Sequence, residues 1–399
     1  MNSVAENLAK NNYPVIVWKG IEGDYWGDMK RETVIALKRA LETSMEIQVQ
    51  DLIGCDKWEH FEQRRTYRNG YRPRSLMTSY GYIANIHVPR VREGKLRFNC
   101  FEQYQRRTSD IDSMILEMFI DGVSTRKVDS VLTPLFGTGT ISPAGVSLVT
   151  KTLNQQVNQY HSRKLNDNYW YLIADGIYLN VKNPVWKKRR CVLAVYGITV
   201  DGYRELIDFY LAPHGESQQA WEKFLYRLYY RGLEGKTLKL VVRDGGKGLK
   251  NALSTVYPHV DQQLCWAHKL RNVASRLLRN IQEACIDDAR EIYCAKSYND
   301  AVKTFKIWAT RWKYAAPDAV KCLNDEIFDL LNFFHEPNST WIKLRTTNII
   351  ERSFREVRRR TRPISCFQNS DSLQRIIYAI FFKLNRSWEN KPLKITHTT

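Results

Sequence analysis

The chain has 399 residues, of which 43% are hydrophobic; that is too long for one small core and suits about two to three domains. Its 61 Lys and Arg against 42 Asp and Glu give a formal charge of +19, which favours a polyanionic partner, nucleic acid ahead of an anionic membrane, and association that weakens with salt. There is no apolar run of about 18 residues and no charged-then-apolar leader, and the eight scattered cysteines form no CxxC pair, so the expectation is a soluble cytoplasmic protein with reduced thiols.

Residues 27 to 53 read as a long helix, with Val34, Ala36, Leu37, Leu41, Met45 and Val49 near helical spacing, and residues 1 to 60 are taken as an N-terminal helical region. A basic strand and loop region follows over residues 61 to 110. Within it "RRTYRNGYRPR" places Arg64, Arg65, Arg68, Arg72 and Arg74 together without an acid, Tyr67 and Tyr71 among them and an Asn69-Gly70 turn at the centre. The flanking "YGYIANIHVPRVREG" reads as a strand with Ile83, Ile86 and Val88 apolar and Pro89 ending the run. A solvated surface loop would have the same composition. Guanidinium groups among aromatic rings are also what contacts to a nucleic-acid backbone and to stacked bases require, and these five arginines are expected to touch DNA.

From residue 111 the period changes to 3.6. Ile111, Met114, Ile115, Met118 and Phe119 form one stripe, which Gly122 breaks; Ser124 is placed to cap a second helix carrying Val128, Val131, Leu132, Leu135 and Phe136. A third helix starts at Ser142-Pro143 and turns Val146, Val149, Leu153 and Val157 inward, with Ser147, Thr150, Lys151 and Asn154 outward. Residues 111 to 165 are therefore expected to be a helix-turn-helix DNA-binding domain, with Lys151 among the contacts. Such trios also occur in proteins that never touch DNA; the basic charge favours the DNA reading.

Residues 166 to 267 switch to strands. Three of them (169 to 181, 190 to 200 and 203 to 212), with an Asp201-Gly202 hairpin turn, precede a helix, a strand at 237 to 244, a helix near 247 to 256 and a strand at 261 to 267. This βββαβαβ succession, an antiparallel meander feeding parallel crossovers, is the order of a ribonuclease H-like α/β domain. Residues 268 to 340 revert to helix alone. A helix from Asn348, stopped by Pro363, then opens a closing segment, 341 to 399, that completes the core and ends in a basic tail.

In that order the first and fourth strands are central neighbours, and each carries an acid followed by glycine: Asp175-Gly176 and Asp244-Gly245-Gly246. A glycine there lets backbone or ligand approach closely. Two carboxylates converging on one sheet edge repel each other unless a divalent cation lies between them. Hard oxygen ligands point to Mg²⁺ or Mn²⁺, two ions roughly 4 Å apart, and to phosphoryl chemistry. The segment "GGKGL" lacks the GxxxxGK[ST] spacing of a phosphate loop. Cys265 and His268, three apart, read as a packing or hydrogen-bonding pair near the site; two ligands without a second pair do not make a structural zinc site.

At this point the blocks "ADGIYLNVK", "VVRDGGKGLKNAL", "YPHVDQQLCWAHKLRNV" and "TTNIIERSFREVRRRTR", in this order, resemble the Mutator-like transposases, as do the upstream "YRNGYRPRSLMTSYGYIANIHVPRVREG" and "DGVSTRKV". The resemblance spans about residues 60 to 385. It implies a ribonuclease H-like catalytic domain with an all-helical insertion and a triad of Asp175, Asp244 and Glu351, with Cys265 and His268 as the family's C-x-x-H signature. Among the glutamates after Asp244, helical periodicity prefers Glu351 to Glu356 only weakly. Arg355, Arg358 and Arg362 recur on the Glu351 side, where they would grip phosphates. The resemblance further implies a transposase acting on double-stranded DNA, on its element's terminal inverted repeats and on target DNA, as a dimer or larger assembly associated with the nucleoid. A domesticated, non-catalytic DNA-binding regulator and a plain metal-dependent nuclease are the competing readings.

Overall fold

The computed structural model describes residues 24–59, 62–94, 96–102, 104–136, 141–182, 187–362, 366–367 and 369–393. The chain divides into two compact units, one comprising the chain up to Leu116 with Arg126–Pro143, the other Glu117–Thr125 with the chain from Ala144 onward. Pro363, taken above as a helix stop, lies outside the described residues, as do residues 1–23 of the N-terminal region.

In the first unit a long helix, α1 (Tyr25–Ile53), ends on Gly54, whose φ of 83° allows its N–H to close on the Gln50 carbonyl. It packs on a hairpin of β1 (Arg68–Thr78) and β2 (Gly81–Val91), burying Met45, Leu76, Ile83, Ile86, Val88 and Phe101 in one core. Two local expectations change here. Asn69-Gly70 lies inside β1: the register steps from Arg68↔Val91 to Tyr71↔Pro89, one extra residue on β1, and Gly70 with φ 67° absorbs it as a bulge. Pro89 is likewise paired inside β2; a two-stranded ribbon has open outer edges, where a missing N–H breaks no ladder.

Helix α2 (Ser109–Ile120) crosses from the first unit into the second and ends at Gly122, φ 91°, with the Val123 N–H on the Met118 carbonyl at 2.9 Å. Helix α3 (Val128–Phe136) begins well after Ser124, so Ser124 does not cap it. The expected third helix is two: α4 (Pro143–Thr150) and α5 (Leu153–Ser162). The break has a local cause. Thr150 and Thr152 hydroxyls donate to the Ser147 and Val149 carbonyls at 3.0 and 2.7 Å, and the amides of Lys151 and Thr152 bond three residues back, tightening the chain into a turn.

The second unit is a mixed α/β structure around a five-stranded sheet. Strands β3 (Tyr169–Lys182), β4 (Lys187–Thr199) and β5 (Arg204–Ala212) form an antiparallel meander, and β6 (Leu240–Arg243) and β7 (Asp261–Leu264) run parallel to β3, giving the order β5-β4-β3-β6-β7. One face is covered by α6 (Gln218–Tyr230) and α7 (Lys247–Val256), which bury Trp221, Phe224, Leu225, Leu228, Leu249 and Leu253 against Leu172, Ala174, Leu193 and Val241. Both crossovers to the parallel strands pass through these helices.

After β7 come only helices among the described residues: α8 (Trp266–Ala274), α9 (Arg279–Cys294), α10 (Tyr298–Trp312), α11 (Pro317–Asn324), α12 (Ile327–Leu331), α13 (Asn338–Leu344), α14 (Asn348–Thr361) and α15 (Ser370–Trp388), with a short 3-10 turn at Asn332–His335. The last helix occupies much of the closing segment; residues 394–399, where the expected basic tail ends, lie outside the described residues. Asn369 caps the helix by accepting from the Ser372 N–H, and Leu373, Ile376, Ile377, Ile380 and Phe381 form its buried stripe. It also closes a sheet edge: the Asn385 amide exchanges both hydrogen bonds with the Leu206 backbone of edge strand β5, at 2.8 and 3.0 Å. All eight cysteines are free, and no helix of the described residues is long and apolar enough to cross a membrane.

Candidate active site

Sheet register brings the two aspartates to one level. Strand β3 pairs with β6 through Ile173↔Val242, and β6 pairs with β7 through Arg243↔Leu264. Continuing both ladders puts Asp175, Asp244 and Cys265 in a single row across three adjacent parallel strands, where neighbours lie about 4.8 Å apart. Strands β6 and β7 end there, so the row sits at the carboxyl edge of the parallel half of the sheet.

Each aspartate is fixed by the backbone that follows it. Asp175 Oδ1 accepts the Gly176 N–H at 2.7 Å, and Asp244 Oδ1 accepts the Gly246 N–H at 3.0 Å. The two glycine positions then differ. A Cβ on Gly245 would meet open space, whereas one on Gly176 would come within 3.3 Å of Cys191 Sγ and 3.4 Å of Glu216 Oε2. What approaches Gly176 is therefore protein. Glu216, which the sequence reading passed over, precedes the capping Ser217 of α6; Trp221 Nε1 holds its Oε1 at 2.9 Å, and burial, with Asp244 nearby, pushes its carboxyl up against that bond.

Arg243, 1% exposed, anchors the turn beside Asp244. Its guanidinium donates to the Asp244 carbonyl at 3.0 Å, to Gln262 Oε1 at 2.7 Å and to Asp329 Oδ2 at 2.9 Å.

Cys265 does not continue β7, as the expected strand over 261 to 267 had it. The strand stops at Leu264, Cys265 occupies the N-cap position of α8, and His268 lies in that helix's first turn. The amphipathic WAHKLRNVA stretch, which buries Trp266, Lys269 and Val273, wins over continued strand. The thiol faces the start of α14. The Thr347 N–H reaches Cys265 Sγ at 3.3 Å and the Thr347 hydroxyl reaches it at 3.4 Å, while that hydroxyl lies 3.5 Å from His268 Nδ1 and 3.1 Å from Glu351 Oε1. Burial pushes the Cys265 thiol up, but hydrogen bonds from His268 and Thr347 outweigh it and hold the group below its ordinary value.

Glu351 thus lies beside Cys265 and His268 through Thr347. His268 Nε2 is 3.7 Å and Arg271 3.8 Å from its carboxylate. Asp175, 8% exposed, has its carboxyl pushed up to about 7 by burial and by the charges of Asp244 and Glu351, against the Gly176 hydrogen bond and the charge of His268. His268 is pushed up to about 9 by its bond to Cys265 and, beyond burial's opposition, by the charges of Asp175 and Glu351. Glu356 leaves on the other flank of α14 and pairs with Arg359 at 2.9 Å and with Arg360. Arg355, Arg358 and Arg362 are exposed, as are Arg352 and Arg359.

Of the other expected DNA contacts, Lys151 is exposed at the turn between α4 and α5. In the first unit Arg65 and Arg72 are exposed, whereas Arg64, Arg68 and Arg74 are half-buried. Arg64 donates to the Glu59 carbonyl; Arg68 reaches the Cys55 and Asp56 carbonyls at 3.5 and 3.4 Å; Arg74 donates to the Glu102 carbonyl at 3.2 Å and lies 4.3 Å over Phe101. Exposed Trp58, Tyr67 and Tyr71 surround a cleft of about 360 Å³ in the same unit.

Among the described residues no group of three or more His, Cys, Asp or Glu is placed so that it could hold a metal ion. The carboxyl groups whose charges meet here are those of Asp175, Asp244 and Glu351. Burial and the charges of Asp244 and Glu351 raise the Asp175 carboxyl more than His268 lowers it, and carboxylate oxygens are the donors that Mg²⁺ or Mn²⁺ prefers.

The model of a family described as "Transposase, Mutator family" matches residues 27–391. The chain is similar to the transposase for insertion sequence element ISRM5 of Rhizobium meliloti (strain 1021), 31% identical over 352 residues covering 88% of this chain and 87% of that one. It is 35% identical, over 86% of its length and 87% of the relative's, to the transposase for insertion sequence element IS256 in transposon Tn4001 of Staphylococcus aureus. Among solved structures it is similar to the Drosophila P element transposase strand transfer complex, 12% identical with a TM-score of 0.31 over 74% of this chain and 81% of that one, a likeness too slight to bear on the fold.

Proposed function

The chain belongs to the Mutator family of transposases, and on that premise we propose that it binds the terminal inverted repeats of an insertion sequence, cleaves the phosphodiester at the element's ends and joins the freed 3′-hydroxyls to target DNA. The observation that carries the reading is the row of Asp175, Asp244 and Cys265 across three strands, with Glu351 held beside it through Thr347 and His268. The strand order and the helices between β7 and α14 support a ribonuclease H-like domain with an all-helical insertion.

Asp175, Asp244 and Glu351 would hold two Mg²⁺ or Mn²⁺ ions, which supply, when bound, Lewis acidity at the phosphate and an activated water. The chain's own residues do the rest. The backbone bonds of Gly176 and Gly246 aim the aspartates, and His268 and Arg271 draw the Glu351 carboxylate to its side of the site. Exposed Arg355, Arg358 and Arg362 would grip the phosphates that flank the scissile bond, and Arg65, Arg72 and Lys151 would hold the duplex farther out. In the first step water displaces the 3′-oxygen; in the second that hydroxyl displaces an oxygen of a target phosphodiester. One phosphoester bond is exchanged for another, and no covalent protein intermediate forms. Joining two ends takes two sites, hence a dimer or larger assembly.

The test is direct: protein, Mg²⁺, DNA carrying the element's ends and a target plasmid are mixed and the junctions sequenced. End-to-target joints support transposition; cut but unjoined ends leave a nuclease, and binding without cutting leaves a regulator.

A further inference from the structure

We infer that Thr347 is a positioning residue whose hydroxyl orients the Glu351 carboxylate and ties the glutamate helix to the Cys265–His268 turn. The inference rests on the active site proposed above.

Thr347 is 0% exposed and occupies the N-cap position of α14, yet its side chain caps nothing. A threonine there ordinarily accepts from an amide of the first turn. Here the hydroxyl turns to the site. It lies 3.1 Å from Glu351 Oε1, 3.4 Å from Cys265 Sγ and 3.5 Å from His268 Nδ1, so one oxygen touches every signature residue on this side of the row. The Thr347 carbonyl also accepts the Glu351 N–H at 3.0 Å, and its own N–H goes to Cys265 Sγ.

Distances separate the hydroxyl from its neighbours. His268 and Arg271 stand 3.7 and 3.8 Å from the Glu351 oxygens, close enough to attract the carboxylate but too far to fix its rotation. The 3.1 Å bond from Thr347 is directional. A hydroxyl has one proton and two lone pairs, so while it donates to Glu351 it can still accept from His268. Cys265, buried, accepts the Thr347 N–H at 3.3 Å and so anchors the residue by its backbone, which leaves the hydroxyl's one proton for Glu351. The C-x-x-H signature then acts on Glu351 through this threonine.

The test compares Thr347→Val, which keeps shape without the hydroxyl, with Thr347→Ser, which keeps the hydroxyl. Mn²⁺ affinity of the end-DNA complex is measured by electron paramagnetic resonance, alongside cleavage rate, end binding and melting temperature. The expected result for Val is a loss of Mn²⁺ affinity of about 10- to 100-fold, typical of groups that orient metal ligands, with cleavage falling alongside it and end binding unchanged; Ser should stay within about threefold. Wild-type Mn²⁺ affinity in Val, or a Ser variant as impaired as Val, overturns the inference and leaves packing alone. Should Val fail to fold, Thr347→Ala against Ser reads the same split. Asp175→Asn runs in parallel: if it too keeps Mn²⁺ affinity, the metal site fails and not merely the role of Thr347.

Discussion

Arg243 and Asp329 meet at 2.9 Å, joining the residue that precedes Asp244 to α12 in the helical segment after β7. The guanidinium is almost fully buried and its desolvation pulls its pKa down, with Asp329 the largest opposing influence. Lys250 shares the same carboxylate oxygen at 2.9 Å. The helical segment is therefore bonded to the turn that carries a candidate ligand.

Removing that carboxylate tests the connection. Asp329→Ala leaves a buried cation short of its partner, and a stability loss of about 1 to 3 kcal/mol is expected, below the full cost of breaking a buried pair because Asp329 is itself partly exposed. Cleavage should fall further than end binding, since the Asp244 carbonyl shares the same guanidinium. Denaturant melts and cleavage rates decide; equal loss of binding and cleavage would make the contact a matter of folding alone.

Asp175→Asn should abolish cleavage and leave end binding largely intact, because it removes ligand charge and no DNA contact; Asp244→Asn should do the same. Cleavage within about tenfold of wild type would sink the assignment, since loss of a charged ligand costs more than loss of an orienting neighbour.

The same Asp175 substitution has a pH signature in the metal-free protein. The folded pKa of about 7 lies above the ordinary carboxylate value, so the native state binds a proton that the unfolded chain has already released. Stability is then greatest below the ordinary carboxylate range and falls as pH rises toward 7. Asp175→Asn removes this fall. The variant should be more stable than wild type at pH 8, on the order of a few kcal/mol, with the difference closing near pH 4. Melting curves across that range check the sign; a variant less stable at pH 8 contradicts it.

Among the arginines of β1, exposure separates two effects. Arg72→Ala should weaken DNA binding and lower the salt-dependence slope by about one unit with melting temperature unchanged. Arg68→Ala should lower the melting temperature as well, because the side chain reaches the Cys55 and Asp56 carbonyls. An unchanged slope for Arg72→Ala returns it to the solvated surface.

The row of Asp175 and Asp244 was legible because strand ends and Asp-Gly steps are local features, and parallel register does the rest. Glu351 was legible mainly through resemblance, since its angle from the helix's apolar face differs from that of Glu356 by only tens of degrees. Thr347 and Glu216 were not legible. Both lie near the row through the fold and not through local sequence, Thr347 beside Cys265 and Glu216 close to where a side chain on Gly176 would stand, and neither residue type stands out in a loop before a helix. The α15 stripe was visible in "SLQRIIYAIFF" but hidden by its basic surroundings. The split of α4 from α5 came from threonine hydroxyls that a hydrophobic period does not weigh.

The structure gives the choice between Glu351 and Glu356 a sharper basis than helical angle. The two residues, five apart on α14, look to opposite flanks. Glu351 is bonded to Thr347, lies beside His268 and contributes to the raised pKa of Asp175, so its charge is felt at the row. Glu356 is engaged by Arg359 and Arg360, and Arg360 reaches Asp121 at 3.8 Å, which makes it part of an ion-pair network at the surface of the second unit. Its pair with Arg359 is mostly solvent-exposed and should contribute no more than about 1 kcal/mol. Glu351→Gln keeps the size and the acceptor for Thr347 but removes the charge that a metal ligand needs. It should therefore eliminate cleavage and, on pre-cut ends, strand transfer, whereas Glu356→Gln should keep both within about threefold, as expected of a weak surface pair. Strand transfer on pre-cut ends is the discriminating assay, because it bypasses any defect confined to first-strand cutting. Activity surviving in Glu351→Gln while lost in Glu356→Gln would move the third carboxylate to the other flank of the helix.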